Sequence, residues 1–589
     1  MVRSVNSKSI IKSVFQKNWI SYFIGIVLAG GTSYLSAQIP GLLGDAVNAL
    51  SDGNNDFNAV KTAAILMIAA ASGAFAARFI WRFLIIGTTR KIELNLRMGL
   101  FGHLQSQSGD FYVKYNTGDI ITRSISDINA VRMMFGVGLV GIINTAVTTV
   151  VSVTYMVNAV DWTLTLAAVV PLPILAFGLT KLRFTIRKRF KRAQEAVSDL
   201  NAKTQENITG IRVVKAYAQE KSETETFSRL SKRKWASEMA MVRVSALIGP
   251  STALVFGIVF SVFLMVGGRM VIDGTMNLGQ YVAFNGYLAL VVEPMNMISR
   301  IMTVWQRGRV SMGRLDQLFN EKPSVNDEKA DKTITELEAG QLEVRDLTFS
   351  YPNTDKSSLK DVNFSVRQGQ LLAVMGVTGS GKTTLANLIL RLWPLEDGKV
   401  FLDGIDINQI PILTMRKYAA FVPQDSFLFS DTIAENIAFF DEDVTDEQVR
   451  EAAKLACVDE NIMAQPDGYD TVVGERGMTL SGGQKQRISI ARALVRNPRL
   501  LLLDDCLSAV DAATEQAILK NLTDARGERI TVFITHRISA AMAADNILLF
   551  NKDGSVAGIG SHEQLLRTNK AYNDLIELIK SRERGGDIR

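Results

Sequence analysis

Six runs of about 20 or more mostly apolar residues fall within the first 305 positions of the chain: 19–40, 60–87, 131–157, 162–181, 244–272 and 278–305. About 20 such residues let a helix cross ~30 Å of hydrocarbon, and a helix satisfies its own backbone there. No other feature narrows the possible folds so far. The first run follows Lys8, Lys12 and Lys17. It exceeds the apolar stretch of a secretory signal and five more runs follow it, so it reads as a span. The other half of the 589 residues has no such run, and the chain divides into two unlike parts.

Basic residues orient the spans, because cytoplasmic connections are enriched in Lys and Arg. Arg3, Lys8, Lys12 and Lys17 precede the first span, and Arg90, Lys91 and Arg97 follow the second. Arg183, Arg187, Lys188, Arg189, Lys191 and Arg192 follow the fourth, and Arg307 and Arg309 the sixth. The alternate connections carry Asp45, Asp52, Asp56 and Asp273, with Arg269 the one discordant charge. Both termini are therefore expected on the cytoplasmic side. The net charge of +6, from 65 basic and 59 acidic residues, fits basic loops at a membrane better than a nucleic-acid surface. Cys457 and Cys506 are the only cysteines, too few for a disulfide framework.

Two connections on the expected inner side, 88–130 and 182–243, are far longer than turns. Apolar residues recur there at helical spacing, as at Leu94, Met98, Phe101 and Leu104. The spans are thus expected to continue as long helices past the lipid, broken at 110–118 and 210–220. Residues 321–340 are polar and read as a linker. Beyond them, strand-like runs alternate with helices, an α/β pattern.

Gly376-Val-Thr-Gly-Ser-Gly-Lys382-Thr383 matches G-x-x-x-x-G-K-[ST], between a strand-like run at 371–375 and a helix-like run at 384–392. Such a loop turns backbone N–H groups onto phosphates. Its lysine reaches the β- and γ-phosphates, and the Thr383 hydroxyl is placed to ligate Mg²⁺. Leu500-Leu-Leu-Leu-Asp504-Asp505 is a buried-strand pattern ending in carboxylates, and Asp504 suits the Mg²⁺-holding role.

Further motifs make the pattern specific. Leu480-Ser481-Gly482-Gly483-Gln484 resembles the signature of ABC ATPases and precedes the Asp pair at that family's spacing. Tyr351 matches the family's adenine-stacking aromatic, Gln424 its Q-loop glutamine, Ser508-Ala-Val-Asp511 its D-loop and His536 its switch histidine. Gly474-Glu-Arg-Gly477 resembles a segment found in exporters. The whole chain resembles an ABC exporter half-transporter of the kind that includes multidrug pumps. The fold this implies is an α-helical transmembrane bundle of six long helices followed by an α/β P-loop ABC ATPase domain. The expected parts are a transmembrane domain at 1–320, the linker at 321–340, the nucleotide domain at 341–580 and a polar tail at 581–589.

The resemblance implies ATP and Mg²⁺ as ligands. Tyr351, Gly376, Thr378, Gly379, Ser380, Gly381, Lys382, Thr383 and Thr384 would hold ATP. Thr383, Gln424 and Asp504 would hold the metal, and Asp505, Gln424 and His536 would serve hydrolysis. Ser481, Gly482, Gly483, Gln484 and Asp511 would complete the site of a second, homologous half-transporter. The breaks at 110–118 and 210–220 match the segments that couple ATPase domains to spans by alternating access.

One position departs from the family. The residue after Asp504 is normally Glu, the base that orients the attacking water, and here it is Asp505. The side chain is shorter by one methylene, ~1.5 Å, and a ~1 Å misplacement costs on the order of 100-fold in rate. The same substitution marks one subunit of bacterial heterodimeric exporters. Weak hydrolysis at this chain's own P-loop and a Glu-bearing partner are therefore expected, with export of hydrophobic or amphipathic compounds across the cell membrane. The alternatives are a homodimeric lipid or peptide exporter and, in another class, a nucleotide-gated channel or regulatory subunit. Action on nucleic acid is excluded by the spans. Within them, a cavity-facing Glu293 would favour cationic amphiphiles, with pairing to a neighbouring helix or exposure at headgroup level as its alternatives. Arg78 and Arg82, four residues apart on one helical face, read as inter-helix or interfacial ion pairs. His103 and Cys506 read as structural, with oxidation the alternative for Cys506.

Overall fold

The computed structural model describes residues 6–51, 57–159, 162–169, 171–338, 340–352, 354, 356–474, 477, 480–525 and 527–586. The side chains of 159, 163, 167–184, 252, 292–296, 299 and 582–586 lie outside that description. Contacts divide the chain into two units. One comprises the residues up to His103 together with Gly118–Glu321, and the other Leu104–Thr117 together with Lys322 onward.

The first unit is helical. Its helices run Trp19–Ser51, Phe57–Gln105, Leu139–Ala159, Trp162–Val169, Pro171–Thr209, Glu220–Ser245, Ile248–Ile272 and Leu278–Asn320. Phe57–Gln105 has 49 residues. At 1.5 Å per residue it is about 74 Å long, more than twice the ~30 Å hydrocarbon layer, so the expectation that helices outrun the lipid holds. Among the described residues, four helical stretches are long and apolar enough to cross a membrane: Trp19–Ser51, Phe57–Gln105, Thr117–Asn158 and Glu220–Ile272. Six were expected. The run at 162–181 falls largely on side chains outside the described residues. The run at 278–305 is helical throughout, but Gln280, Asn285, Glu293 and Asn296 dilute its apolar character.

Pro40 lies inside the first long helix rather than at its end. The helix Leu278–Asn320 packs directly against this region. A Cβ on Gly279 would come within 2.1 Å of the Gly44 carbonyl oxygen, so only glycine permits that approach. Asn48 uses the gap, its Oδ1 accepting from the Gly279 N–H at 2.7 Å and satisfying a donor the helix start would otherwise leave orphaned. Deeper along the same helix, buried Asp127 accepts from Ser311 at 2.8 Å and pairs with Arg314 at 2.5 Å. His103 is structural as expected, its Nε2 2.8 Å from the Leu318 carbonyl. Both expected breaks contain a short helix: Gly109–Lys114 at the first and Ile211–Ala216 at the second.

The second unit holds two sheets. The strands are β1 (Gln341–Phe349), β2 (Leu359–Arg367), β3 (Leu371–Gly376), β4 (Val400–Leu402), β5 (Ile405–Asp406), β6 (Ala419–Val422), β7 (Leu500–Asp504), β8 (Ile530–Ile534), β9 (Asn546–Phe550) and β10 (Val556–Gly560). A four-stranded sheet has the order β2-β1-β4-β5, and a six-stranded sheet the order β10-β9-β3-β8-β7-β6. In the larger sheet β9, β3, β8, β7 and β6 pair in parallel. Parallel strands covered on both faces read as continuous apolar runs, and β3, β7 and β8 are buried at every position. Leu372 and Val374 pack with Leu385 and Ile389 on one face of β3, Ala373 and Met375 with Tyr572 and Ile576 on the other.

Two stretches at the expected boundaries have structure of their own. The one at 321–340 makes contacts within the second unit. The Asp331 N–H donates to the Gln409 carbonyl at 2.8 Å, Asp327 accepts from the Ile412 N–H at 2.9 Å, and Leu337 is buried in the core. The expected tail at 581–589 begins inside the helix Lys570–Gly586.

Candidate nucleotide site

The parallel order brings four sequence motifs to one edge of the larger sheet. β3 ends in Gly376, β7 in Asp504, β6 two residues before Gln424, and β8 two residues before His536. Ligands of open α/β sheets bind outside the carboxyl ends of the strands. A cavity of about 340 Å³ opens there, lined by Thr378–Thr384, Gln424, Asp504, Asp505 and His536, with Ser358 on its rim.

Glycine shapes the loop after β3. Gly381 sits at φ +91°, and a Cβ there would lie 2.3 Å from the Ser358 carbonyl oxygen, which excludes any other residue. The helix Lys382–Ile389 follows directly and turns its N-terminal N–H groups toward the cavity. Lys382 is folded back over the loop, its Nζ donating to the Gly376 carbonyl at 2.9 Å and the Val377 carbonyl at 3.0 Å. Burial lowers its pKa, and the carboxylates of Asp504 and Asp505 oppose that shift. Burial raises Asp504, a hydrogen bond from Thr383 opposes the rise, and the charge of Asp505 adds to it. Burial raises Asp505 as well, opposed by Arg537 and Lys382.

Asp505 has φ +43°, a left-handed conformation that Asp tolerates better than most L-residues. Its Oδ2 lies 3.5 Å from Gln424 Nε2. Among the described residues, Ser380 Oγ and Asp504 Oδ2 are buried here with no hydrogen-bond partner. An orphaned carboxylate oxygen beside a threonine hydroxyl and a glutamine amide is an all-oxygen donor set suited to Mg²⁺. Among the described residues no three His, Cys, Asp or Glu cluster as metal ligands. A Mg²⁺ held by one carboxylate, one hydroxyl and nucleotide oxygens requires no such cluster.

Not every expected residue lies here. The Tyr351 hydroxyl donates to Thr384 Oγ1 at 3.1 Å, and its ring stands edge-on to Trp393 with centroids 4.7 Å apart, so it flanks the loop helix without lining the cavity. Ser481 caps the helix Gly482–Leu494 in a reciprocal capping box with Gln484, away from the cavity. Asp511 caps the helix Ala512–Asp524, accepting from the Thr514 N–H at 3.0 Å. Signature and D-loop touch each other. A Cβ on Gly483 would meet the Ala509 carbonyl oxygen at 2.8 Å. Glu475 and Arg476 lie outside the described residues, and so does the side chain of Glu293. Cys506 is fully buried and burial pushes its thiol upward, so the structure favours packing over an oxidation target.

The roles of Gln486, Arg537 and Glu515 escaped the sequence reading. Gln486 donates to Ser508 Oγ at 3.0 Å and accepts from the Ala509 N–H at 2.9 Å. Arg537, next to His536, donates to the carbonyls of Ser508 at 3.1 Å and Val510 at 3.0 Å and pairs with buried Glu515. The adjacency of Arg537 to His536 and of Gln486 to the signature was the available signal; their partners were not readable.

Comparison with known proteins gives the family of the two parts. The family model for the ABC transporter transmembrane region matches residues 19–295, and the ABC transporter model matches residues 359–508. The chain is 35% identical over 563 residues to a probable multidrug resistance ABC transporter ATP-binding/permease protein, YheI, of Bacillus subtilis (strain 168), covering 96% of each. It is 33% identical over 561 residues to the multidrug resistance-like ATP-binding protein MdlA of Escherichia coli (strain K12), covering 95% of this chain and 94% of MdlA. The solved structure of a bacterial Atm1-family ABC exporter with ATP bound is similar at TM-score 0.77 and 26% identity, over 96% of this chain and 99% of that one.

Proposed function

The chain belongs to the ABC transporter family, as a transmembrane region followed by an ABC ATPase domain in one polypeptide, and on that premise we propose that it is one half of a heterodimeric exporter of hydrophobic or amphipathic compounds. Its own P-loop site binds ATP and hydrolyses it weakly. The observation that carries this reading is the division of the site. P-loop, Gln424, Asp504, Asp505 and His536 share one cavity, while Ser481–Gln484 and Asp511 of the same chain lie elsewhere. The signature therefore awaits a second half-transporter's nucleotide, and that partner carries Glu where this chain has Asp505.

The residues divide the work as follows. Backbone N–H groups of the loop and of the helix at Lys382 receive the phosphates, and Lys382 exchanges the Gly376 and Val377 carbonyls for phosphate oxygens. When bound, Mg²⁺ would be held by Asp504, Thr383 and Gln424 and would neutralise phosphate charge. Gln424 and His536 would flank the attacking water, and Asp505 would fall ~1.5 Å short of where a glutamate reaches. The segment Gly109–Lys114 lies in the nucleotide-binding unit, with the Gly109 N–H donating to the Leu392 carbonyl at 3.2 Å, which supports its role as a coupling segment. The transmembrane domain occupies 1–320 and the nucleotide domain begins at 341, both termini facing the cytoplasm of a bacterial cell.

The test is ATP-dependent uptake of a hydrophobic dye into inverted membrane vesicles, with the chain alone and with a Glu-bearing half-transporter. Uptake only in the mixed pair, abolished by changing the partner's Glu and not by Asp505→Asn, is the expected result. Uptake by the chain alone that Asp505→Asn abolishes would replace the heterodimer with a homodimeric pump. Ion current at constant ATP with no uptake in either case would favour a channel.

A further inference from the structure

We propose that Arg391 is a positioning residue that binds a strap, residues 322–331, and the segment 108–111 to the far end of the P-loop helix, so that nucleotide binding is felt at both together. For what that motion serves, this rests on the exporter reading above. The chain passes between its two units three times, at 103/104, 117/118 and 321/322. Ser108 and Asp110 lie between the first two passages and Ser324 just beyond the third, and these residues are bonded to one another. The hydroxyls of Ser108 and Ser324 donate to Asp110 Oδ1 at 2.6 and 2.7 Å, and the Ser324 N–H donates to Ser108 Oγ at 3.2 Å. Burial opposes the charge on Asp110, yet hydrogen bonds from both serines and the Phe111 N–H hold its carboxyl below the usual range.

Both are anchored where the helix Lys382–Ile389 ends. The Leu392 N–H donates to the Asn387 carbonyl at 2.9 Å and the Arg391 N–H to the Leu388 carbonyl at 3.0 Å, the pair of bonds that closes a helix over a left-handed residue. Residues 391 and 392 are thereby fixed to the helix whose first turn faces the phosphates. The Leu392 carbonyl accepts from the Gly109 N–H at 3.2 Å, which ties in the segment. Arg391, 3% exposed, ties in the strap. Its guanidinium donates to the Asn326 carbonyl at 2.9 Å and to the Ile410 carbonyl at 2.5 Å, with the Asp327 carboxylate 3.8 Å away. The backbone of Arg391 has φ +49°, a conformation that glycine takes without strain and arginine does not. Its side chain is therefore what the position supplies. Helix end, strap and segment form a closed triangle of hydrogen bonds, and none of the three shifts alone without breaking a side.

The test is hydrogen exchange, read by mass spectrometry on the full chain in nanodiscs, with and without ATP at ~100 times its Kd. In wild type, ATP is expected to slow exchange at the P-loop and, by on the order of tenfold, at 104–117 and 322–331. Arg391→Gly keeps the left-handed turn and removes the side chain. It should retain ATP and the slowing at the P-loop while losing the slowing at both segments. Ser324→Ala, at an exposed position, should lose most of the slowing at 104–117, and Ser324→Thr should keep it. An ATP effect undiminished in Arg391→Gly or in Ser324→Ala overturns the proposal. So does exchange that quickens by the same factor with and without ATP, which is what a packing role alone gives. If Arg391→Gly does not retain ATP, Ser324→Ala decides by itself. ATP-driven dye uptake by the paired transporter should fall at least tenfold in Arg391→Gly. Exchange as expected with no uptake by wild type would leave the positioning role standing and refute the exporter reading. Uptake equal in wild type and Arg391→Gly would do the reverse.

Discussion

Replacing Asp505 by Glu is the most direct probe of the nucleotide site. The backbone at 505 is held by a hydrogen bond and a left-handed turn. Its N–H donates to the Ile534 carbonyl at 2.9 Å, and φ is +43°. The Cβ position is therefore fixed, and the added methylene moves the carboxylate outward by ~1.5 Å, beyond its present 3.5 Å approach to Gln424. Closing a gap of that size is worth on the order of 100-fold in turnover, about 2.7 kcal/mol of barrier. The left-handed backbone tolerates Glu less well than Asp, at a cost of ~1 kcal/mol, or ~3 °C in the melting temperature of a domain this size. The assay is Mg-ATPase of the purified full-length chain as a dimer with itself, in which Ser481–Gln484 would complete each site on the proposed reading. Lys382→Ala serves as the zero. Wild type should bind ATP and turn over near that zero, and Asp505→Glu should gain ~100-fold while melting slightly earlier. Robust wild-type turnover that Glu does not improve would refute the geometric argument and, with it, the degenerate site.

Other outcomes follow from the same contacts. Gln486→Leu removes both ties between the signature helix and the D-loop and should lower thermal stability by ~1–2 kcal/mol, read as a shift of a few degrees, with ATP retention by the P-loop unchanged. Gly109→Val places side-chain carbon where a single Cβ already meets the Trp393 ring at 3.1 Å; dye transport in the paired transporter should fall at least tenfold while ATP binding persists. Under native conditions a maleimide should label half-buried Cys457 slowly and Cys506 not at all, since burial raises both thiols and closes the second completely; mass spectrometry after mild unfolding should find both modified.

The fold was legible where its signal is contiguous. The loop from Gly376 to Thr383 and the apolar strand ending at Asp504 each carry their own physics within a dozen residues and formed as read, and four of the six apolar runs fall in helical stretches long and apolar enough to cross a membrane. What the sequence hid was pairing across distance. Nothing local tells that Asp331 will bond to Gln409, so the polar stretch at 321–340 read as a linker and proved to be docked. Arg78 and Arg82 share a helical face, which suggests partners, yet their surroundings come from helices more than forty residues away. Tyr351 was placed by motif order, while its actual neighbours, Thr384 and Trp393, follow from how β1 and the loop helix pack. Gln486 looked like one more polar residue on an amphipathic helix, and only burial beside the D-loop reveals its two bonds.

Those bonds bear on why a hydrolytically weak site would keep its whole framework. Gln486 ties the signature helix to Ser508 and Ala509, and Arg537 ties the carbonyls of Ser508 and Val510 to the residue beside His536. Glu515, 3% exposed, anchors Arg537 from the helix that Asp511 caps. Within one chain, the signature helix is thus bonded through the D-loop to the residue beside His536, which lines the chain's own P-loop cavity. In the proposed heterodimer, Asp in place of Glu at 505 would leave this linkage untouched, so ATP at the weak site would still position the signature at the partner's site. Arg537→Gln leaves Glu515 as a buried carboxylate short of its cation, at a cost of ~3 kcal/mol, whereas Arg537→Gln with Glu515→Gln restores charge balance without restoring the carbonyl ties to their full strength. The double variant should therefore recover stability but not hydrolysis at the partner's site. Recovery of both together would mean the network serves folding alone.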